Sequence, residues 1–154
     1  MREAIRRALP AEAPALSALA MRSKALWGYD AAFMAACRLS LTVEAEAVSS
    51  LPFYVLDEGG RITGFYGLSG QPPRGELEFL FVEPEGVRKG RGRRLVAHSL
   101  ALAHDRGFAE LGVSSDPFAE GFYLAMGAVR TGSGPSSAIP GRLNPRLTFF
   151  LAAR

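Results

Sequence analysis

The chain is poor in the residues that build secreted or metal-dependent proteins. It has one cysteine, Cys37, and two histidines, His98 and His104. A single cysteine cannot close an internal disulfide and leaves no second thiolate for a metal. A reducing, cytoplasmic setting and no metal site are therefore expected. No apolar run reaches the ~20 residues that a membrane-spanning helix needs, so no membrane partner is expected. The first residues include Arg2, Arg6 and Arg7 but no apolar signal segment, and Glu3 and Glu12 argue against a transit peptide. Lysine is scarce as well: only Lys24 and Lys89 among 18 basic residues, with a net charge of +3. A sum that small says little about partners; where the charge sits says more. The remaining composition, 48% hydrophobic and 21% charged over 154 residues, is that of a globular chain. Such a chain can fold as one domain over residues 1–154 without staples.

Periodicity gives a regular succession of elements. Residues 4–9 read as a strand ending at Pro10. From Ala11 the apolar positions Leu16, Leu19 and Ala20 recur at helical spacing, with Pro14 tolerated in the first turn and Gly28 as the stop. Asp30 can cap a second helix over 31–39, where Phe33, Met34 and Cys37 make an apolar stripe. A short helix follows over 42–50. Residues 53–56 and 61–68 read as a hairpin around Asp57–Gly60. Residues 69–75 read as a Pro/Gly loop, and Leu77–Val82 as the next strand. A helix over 91–106 ends at Gly107. A strand over 108–113, a helix from Asp116–Pro117 to Met126, and strands over 128–131 and 147–151 complete the chain, with a long loop over 132–146. The order β-α-α-β-β-β-α-β-α-β-β predicts an α/β chain built on a mixed sheet.

The stretch GELEFLFVEPEGVRKGRGRRLVAHSLAL, residues 75–102, carries the clearest chemistry. Arg88, Lys89, Arg91, Arg93 and Arg94 crowd the start of a helix, among Gly86, Gly90 and Gly92. Cations at a helix N-terminus oppose its dipole by ~0.3–1 kcal/mol each, so an anion is expected there. The glycines let main-chain amides approach it closely. The pattern is neither a dinucleotide fingerprint, since Leu95 stands at the third glycine position, nor a P-loop, since no Gly-Lys-Ser/Thr occurs.

VEPEGVRKGRGRRLV resembles the acetyl-CoA-binding signature of the GNAT N-acetyltransferase superfamily. There a strand ends in V-x-P, a Q/R-x-x-G-x-G/A loop cradles the CoA pyrophosphate, and a helix follows. Gly90 and Gly92 match the two small positions. Val87 stands where the family has Gln or Arg, with Arg88 one place later. DPFAEGFYLAMGA, residues 116–128, resembles the family's N-x-x-A-x-x-F-Y-x-x-x-G-F segment. Asp116 replaces its Asn, and Ala128 its last Phe. The S-x-x-I-P-G-R loop, residues 136–142, is similar to that of a subgroup of small GNAT proteins. The resemblance spans nearly the whole chain. It implies acetyl-CoA as acyl donor, held by Leu80, Phe81 and Val82, by Val87 to Arg93 (Val87, Arg88, Lys89, Gly90, Arg91, Gly92, Arg93), and by Asp116, Ala119 and Phe122. It also implies that Tyr123 protonates the departing thiolate, a task that suits a phenol because its ordinary pKa near 10 exceeds a thiol's near 8.5.

Acyl transfer to an amine also needs a base. Alternation along the strand places Glu76, Glu78, Leu80 and Val82 on one face and Leu77, Phe79 and Phe81 on the other. Glu78 is the interior carboxylate, and burial is expected to raise its pKa into a base's range. A water relay from Glu78 remains open. The acceptor, a small-molecule or peptide amine, is expected between the loops at 25–30 and 133–146. Trp27 and Tyr29 would form a wall there, Arg142 and the serines Ser136 and Ser137 would read polar or anionic groups, and Asp30 is the helix cap. His98, His104 and Cys37 read as boundary or core residues. Two other readings stand beside the enzyme: a GNAT fold that binds acyl-CoA without turnover, and a basic nucleic-acid-binding module. The second is disfavoured by a cluster confined to one loop, so no nucleic-acid partner is expected. Homodimerisation through the C-terminal strands is open.

Overall fold

In the computed structural model, residues 3–86 and 90–152 are described, and they form a seven-stranded mixed sheet. The strands are β1 (Glu3–Arg7), β2 (Phe53–Glu58), β3 (Arg61–Gln71), β4 (Arg74–Val82), β5 (Glu110–Ser114), β6 (Val129–Pro135) and β7 (Leu143–Phe150). The helices are α1 (Ala13–Ala25), α2 (Ala31–Cys37), α3 (Ala45–Ser50), α4 (Arg91–Asp105) and α5 (Glu120–Ala125). The spatial order is β1-β2-β3-β4-β5-β7-β6, with β4 and β5 parallel and the other neighbours antiparallel. The expected α/β mixed-sheet class is that of the structure, and the order of elements follows with three helices, α1 to α3, between β1 and β2. None of the described helices is long and apolar enough to cross a membrane.

Each face of the sheet carries its own core. On one face α4 lays Leu95, Val96 and Ala103 against Leu68, Leu77 and Leu111. On the other, Leu16, Leu19 and Ala20 of α1 meet Phe53, Val55 and Phe65, and Cys37 is a buried member of the same cluster. Burying a Leu or Phe fully is worth roughly 1.5–3 kcal/mol, so these stripes hold the helices more firmly than propensity does. The seat of α4 is close: a Cβ at Gly64 on β3 would stand 2.8 Å from Leu95 Cδ1.

Turn chemistry explains the β2–β3 hairpin. Gly59 and Gly60 both adopt positive φ, 64° and 92°, the geometry of the tight turn that matches strand twist. Asp57 accepts the Gly60 N–H at 2.7 Å.

Three expectations change. The segment 69–75 is not a loop: β3 continues to Gln71 and β4 begins at Arg74, leaving Pro72–Pro73 as the turn. The long loop at 132–146 shrinks to 136–142 because β6 and β7 pair from Val129↔Thr148 to Pro135↔Leu143. The third change concerns β4. Gly67 pairs with Phe79 and Leu68 with Leu77, so Glu78 has no partner in the register. This one-residue bulge shifts the alternation. Leu77 joins Leu80 and Val82 on the α4 face, while Phe79 and Phe81 pack on the α1 face.

Candidate active site

β4 and β5 pair only at Arg74↔Glu110, Gly75↔Leu111 and Glu76↔Gly112. Beyond those three steps the strands part. The edges they turn toward each other, 77–82 and 113–116, have no strand partner there, so their main-chain groups are available to a ligand. The gap is a cleft of about 300 Å³. Leu80, Phe81 and Val82 line one side, Ser114, Ser115 and Asp116 the other. Gly92 from the first turn of α4 and Ala119, Phe122 and Tyr123 from the α5 segment close it toward one face, and Ser23 and Trp27 at the end of α1 toward the other. Gly92 is where α4 and α5 approach: a Cβ there would stand 3.2 Å from the Phe122 ring.

Tyr123 is 7% exposed and lies against the cleft. Its hydroxyl has no hydrogen-bond partner among the described residues. It is not sealed off either, since the one buried side-chain polar atom without a partner among the described residues is Arg91 Nη1. The phenol therefore opens onto the gap. Burial first, and then the Asp116 charge, push its pKa up, which keeps it protonated.

Glu78 also lines the cleft, but it is exposed rather than interior. The bulge accounts for this: taken out of the ladder, the residue tips toward the opening. Ser69 Oγ donates to its Oε1 at 2.7 Å. The expected route to a base, burial, is thus absent, while the position beside Tyr123 in one cleft is retained.

At the start of α4, Gly90 takes the left-handed conformation (φ 77°) and its carbonyl accepts the Arg94 N–H. The amides of Arg91, Gly92 and Arg93 precede the first intrahelical bond and are free to meet an anion. The side chains depart from expectation. Arg91 is buried and turned away, with Nε 2.6 Å from Glu58 Oε1 and Nη2 3.3 Å from Oε2. Arg94 Nε lies 3.2 Å from Glu3 Oε1. Arg93 is exposed and makes no ion pair among the described residues. Val87, Arg88 and Lys89 lie outside the described residues.

The far wall is built around Asp116. Its carboxylate caps the turn that follows, accepting the Phe118 N–H at 2.9 Å. It also accepts Lys24 Nζ at 2.5 Å and the Tyr29 hydroxyl at 2.8 Å, and Arg142 Nη2 stands 3.6 Å away. Burial alone would raise the Asp116 pKa, but Lys24, the Phe118 amide and Tyr29 together hold it below the ordinary value. Burial raises the Tyr29 phenol, with Asp116 acting in the same direction and Arg142 against it. Tyr29 thus stays a donor to Asp116 while accepting from Arg142 at 2.8 Å. Of the expected acceptor residues, Trp27 lines the cleft and stacks on Phe118 at 5.5 Å. Tyr29 and Arg142 stand one layer behind Asp116. Ser136 Oγ serves its own turn, accepting from the Ala138 and Ile139 amides, and Asp30 caps α2 through Phe33 N at 2.8 Å. Away from the cleft, half-buried His98 places Nδ1 2.7 Å from the buried Tyr66 hydroxyl, and burial lowers its pKa.

Sequence reasoning missed Lys24, Ser23 and the serines 114–115. Lys24 carries no motif; only its place one turn before Gly28, beside Trp27, ties it to the wall.

The chain matches the acetyltransferase (GNAT) domain family over residues 22–137. Among solved structures, a GCN5-related N-acetyltransferase from Rhodopseudomonas palustris is 25% identical, with a TM-score of 0.83 over 98% of this chain and 97% of that one. The PaiA N-acetyltransferase from Thermoplasma acidophilum, in complex with coenzyme A, is 15% identical, with a TM-score of 0.81 over 97% and 99%. YncA from Salmonella typhimurium, with its cofactor acetyl-CoA, is 18% identical, with a TM-score of 0.69 over 100% and 96%. No curated protein matches the sequence.

Proposed function

The chain belongs to the acetyltransferase (GNAT) domain family, and from that premise we propose that it moves an acetyl group from acetyl-CoA to an amine by direct attack in the cleft between β4 and β5. The observation that carries this reading is the parting of the two strands with the free Tyr123 hydroxyl facing the gap. The open edges of 77–82 and 113–116 suit the amides of a pantetheine arm, as an added strand would. The amides of Arg91 to Arg93 suit the pyrophosphate, with Gly90 and Gly92 leaving room for it. Main-chain amides near Val82 polarise the thioester carbonyl.

Glu78, directly or through one water, takes the proton from the incoming ammonium. Exposure suits the water route, because the carboxylate faces the opening rather than the packed interior. The C–N bond forms as the C–S bond breaks, the nitrogen sheds its second proton to water as it becomes an amide, and Tyr123 hands its proton to the leaving sulfur. The phenol then recovers a proton from solvent. A raised pKa makes Tyr123 a weak acid at rest but keeps the proton in place until thiolate charge develops beside it.

Calorimetric titration with acetyl-CoA and with a short DNA duplex tests the binding half, and thiol release with a panel of amines tests the chemistry. Acetyl-CoA is expected to bind and the duplex is not. Tyr123→Phe is expected to lower kcat by about 100-fold while the Kd for acetyl-CoA stays within about twofold, since one phenol oxygen contributes little to holding the donor. Failure to bind acetyl-CoA, or a Tyr123→Phe variant with the full rate, overturns the reading.

A further inference from the structure

The wall around Asp116 carries more positive charge than it can neutralise. Lys24 and Arg142 both face this one carboxylate, 2.5 Å and 3.6 Å away. Their side chains are only 16% and 20% exposed, and that of Asp116 is 9%. Among the acids of the neighbouring elements, Asp30 caps α2, Glu120 pairs with Arg130, Glu83 pairs with Arg22, and Glu78, on the far side of the cleft, accepts from Ser69 and lies in the field of Arg146. One unit of positive charge is left in a half-buried place, where an unmatched charge is costly.

Both cations also have donors to spare. Lys24 Nζ makes one hydrogen bond among the described residues, to Asp116. Arg142 uses Nε on Asn144 and Nη2 on Tyr29, and its guanidinium carbon stands over the Tyr29 and Phe33 rings, 5.1 and 4.8 Å from their centroids. Its Nη1 has no partner among the described residues. A guanidinium fixed in this way is pre-organised for a planar anion.

We propose that the acceptor amine bears a carboxylate, and that Arg142 with Lys24 holds that carboxylate behind the Trp27 wall of the cleft. The inference rests on the reading of the cleft as an acetyl-transfer site and adds the chemical class of its acceptor. A monoanion matches the single uncompensated charge; a phosphate dianion overshoots it. Asp116 is a positioning residue here. It gathers Lys24, Tyr29 and Arg142 from three separate stretches of the chain and sets the spacing of the two cations.

Trp27 is the only tryptophan, so its emission reports on this wall. The protein, free and saturated with CoA, is titrated with N-acetylated amino acids of small, apolar and polar side chains. Each is compared with its carboxamide, and an N-acetylated aminoalkyl phosphate is run beside them. At least one acid is expected to bind about tenfold or more tightly than its amide, the scale of a charge-assisted hydrogen bond. In Arg142→Gln that ratio is expected to fall to about one to two. Lys24→Met is a second variant should Arg142→Gln fail to fold, and an acetyl-CoA titration of each gives the folded fraction. Equal binding of acid and amide, no response to either, a preference for the phosphate, or a ratio that survives both substitutions overturns the proposal. Wild-type protein that binds acetyl-CoA without discriminating acid from amide loses this inference alone. Protein that discriminates yet ignores acetyl-CoA loses the acetyl-transfer reading instead.

Discussion

Two regions gather cations, and they are neutralised in different ways. At the start of α4, Arg91 has Glu58 and Arg94 has Glu3, one acid each. At the opposite wall Lys24 and Arg142 divide Asp116 between them. The first region is dense in basic residues along the sequence, yet distant strands supply the counter-charges. The second shows no density at all, since Lys24 and Arg142 meet only in the fold. Local cation count is therefore a poor measure of free positive charge; the number of carboxylates within reach decides it.

The largest test of that contrast is Glu58→Gln. It leaves Arg91, 6% exposed, as an uncompensated buried cation, at a cost of about 3 kcal/mol in urea unfolding. The Arg91 hydrogen bond first, and then that of Thr63, hold the Glu58 carboxyl at about 2 against an ordinary 4.5, with burial opposing. Because the folded-state value is the lower one, this stabilisation is complete above pH 4.5 and is lost as pH falls toward 2. The variant is expected to lack that part of the acid limb, and an unchanged limb removes Glu58 as the partner that matters.

Asp116→Asn tests the other side. With its only shared carboxylate neutral, the pair Lys24 and Arg142 repel each other, and stability is expected to drop by about 2 kcal/mol at low salt. Unlike the Glu58 variant, it is expected to recover part of the loss at high salt, because this wall is less sealed than the Arg91 site. Urea titration followed by Trp27 emission reads both values, and equal salt responses in the two variants erase the distinction.

The smallest effect is expected at Arg93, the exposed cation of the first region. Arg93→Ala is expected to weaken acetyl-CoA binding by about threefold, in line with a screened surface charge. A loss above about 30-fold makes Arg93 a direct ligand and moves the weight of anion binding from amides to side chains.

The elements whose signals are local were legible in the chain. The glycine pair at 59–60 announces its hairpin, and Asp30 announces its cap. What escaped depends on partners far along the sequence. The bulge at Glu78 is one unpaired residue in an apolar strand and leaves no trace in composition, yet it moves Leu77 to the other face and Glu78 out of the interior. The extension of β3 and β4 to Pro72–Pro73 comes from pairing that runs to Gln71↔Arg74 despite two prolines at the turn. The Arg91–Glu58 pair spans 33 positions and Lys24–Asp116 spans 92, distances at which residue type alone carries no pairing information.

The parting of β4 and β5 after three paired steps has a bearing on inheritance. Along those edges the donors and acceptors belong to the peptide backbone, which every residue but proline supplies alike. Mutation can replace most side chains there without removing a hydrogen-bonding group, so long as the strands still diverge. On the proposed reading of the cleft, a lineage built on such an opening is free to drift in sequence while keeping hold of its donor, and the side chains released from that duty can be spent on telling one acceptor from another.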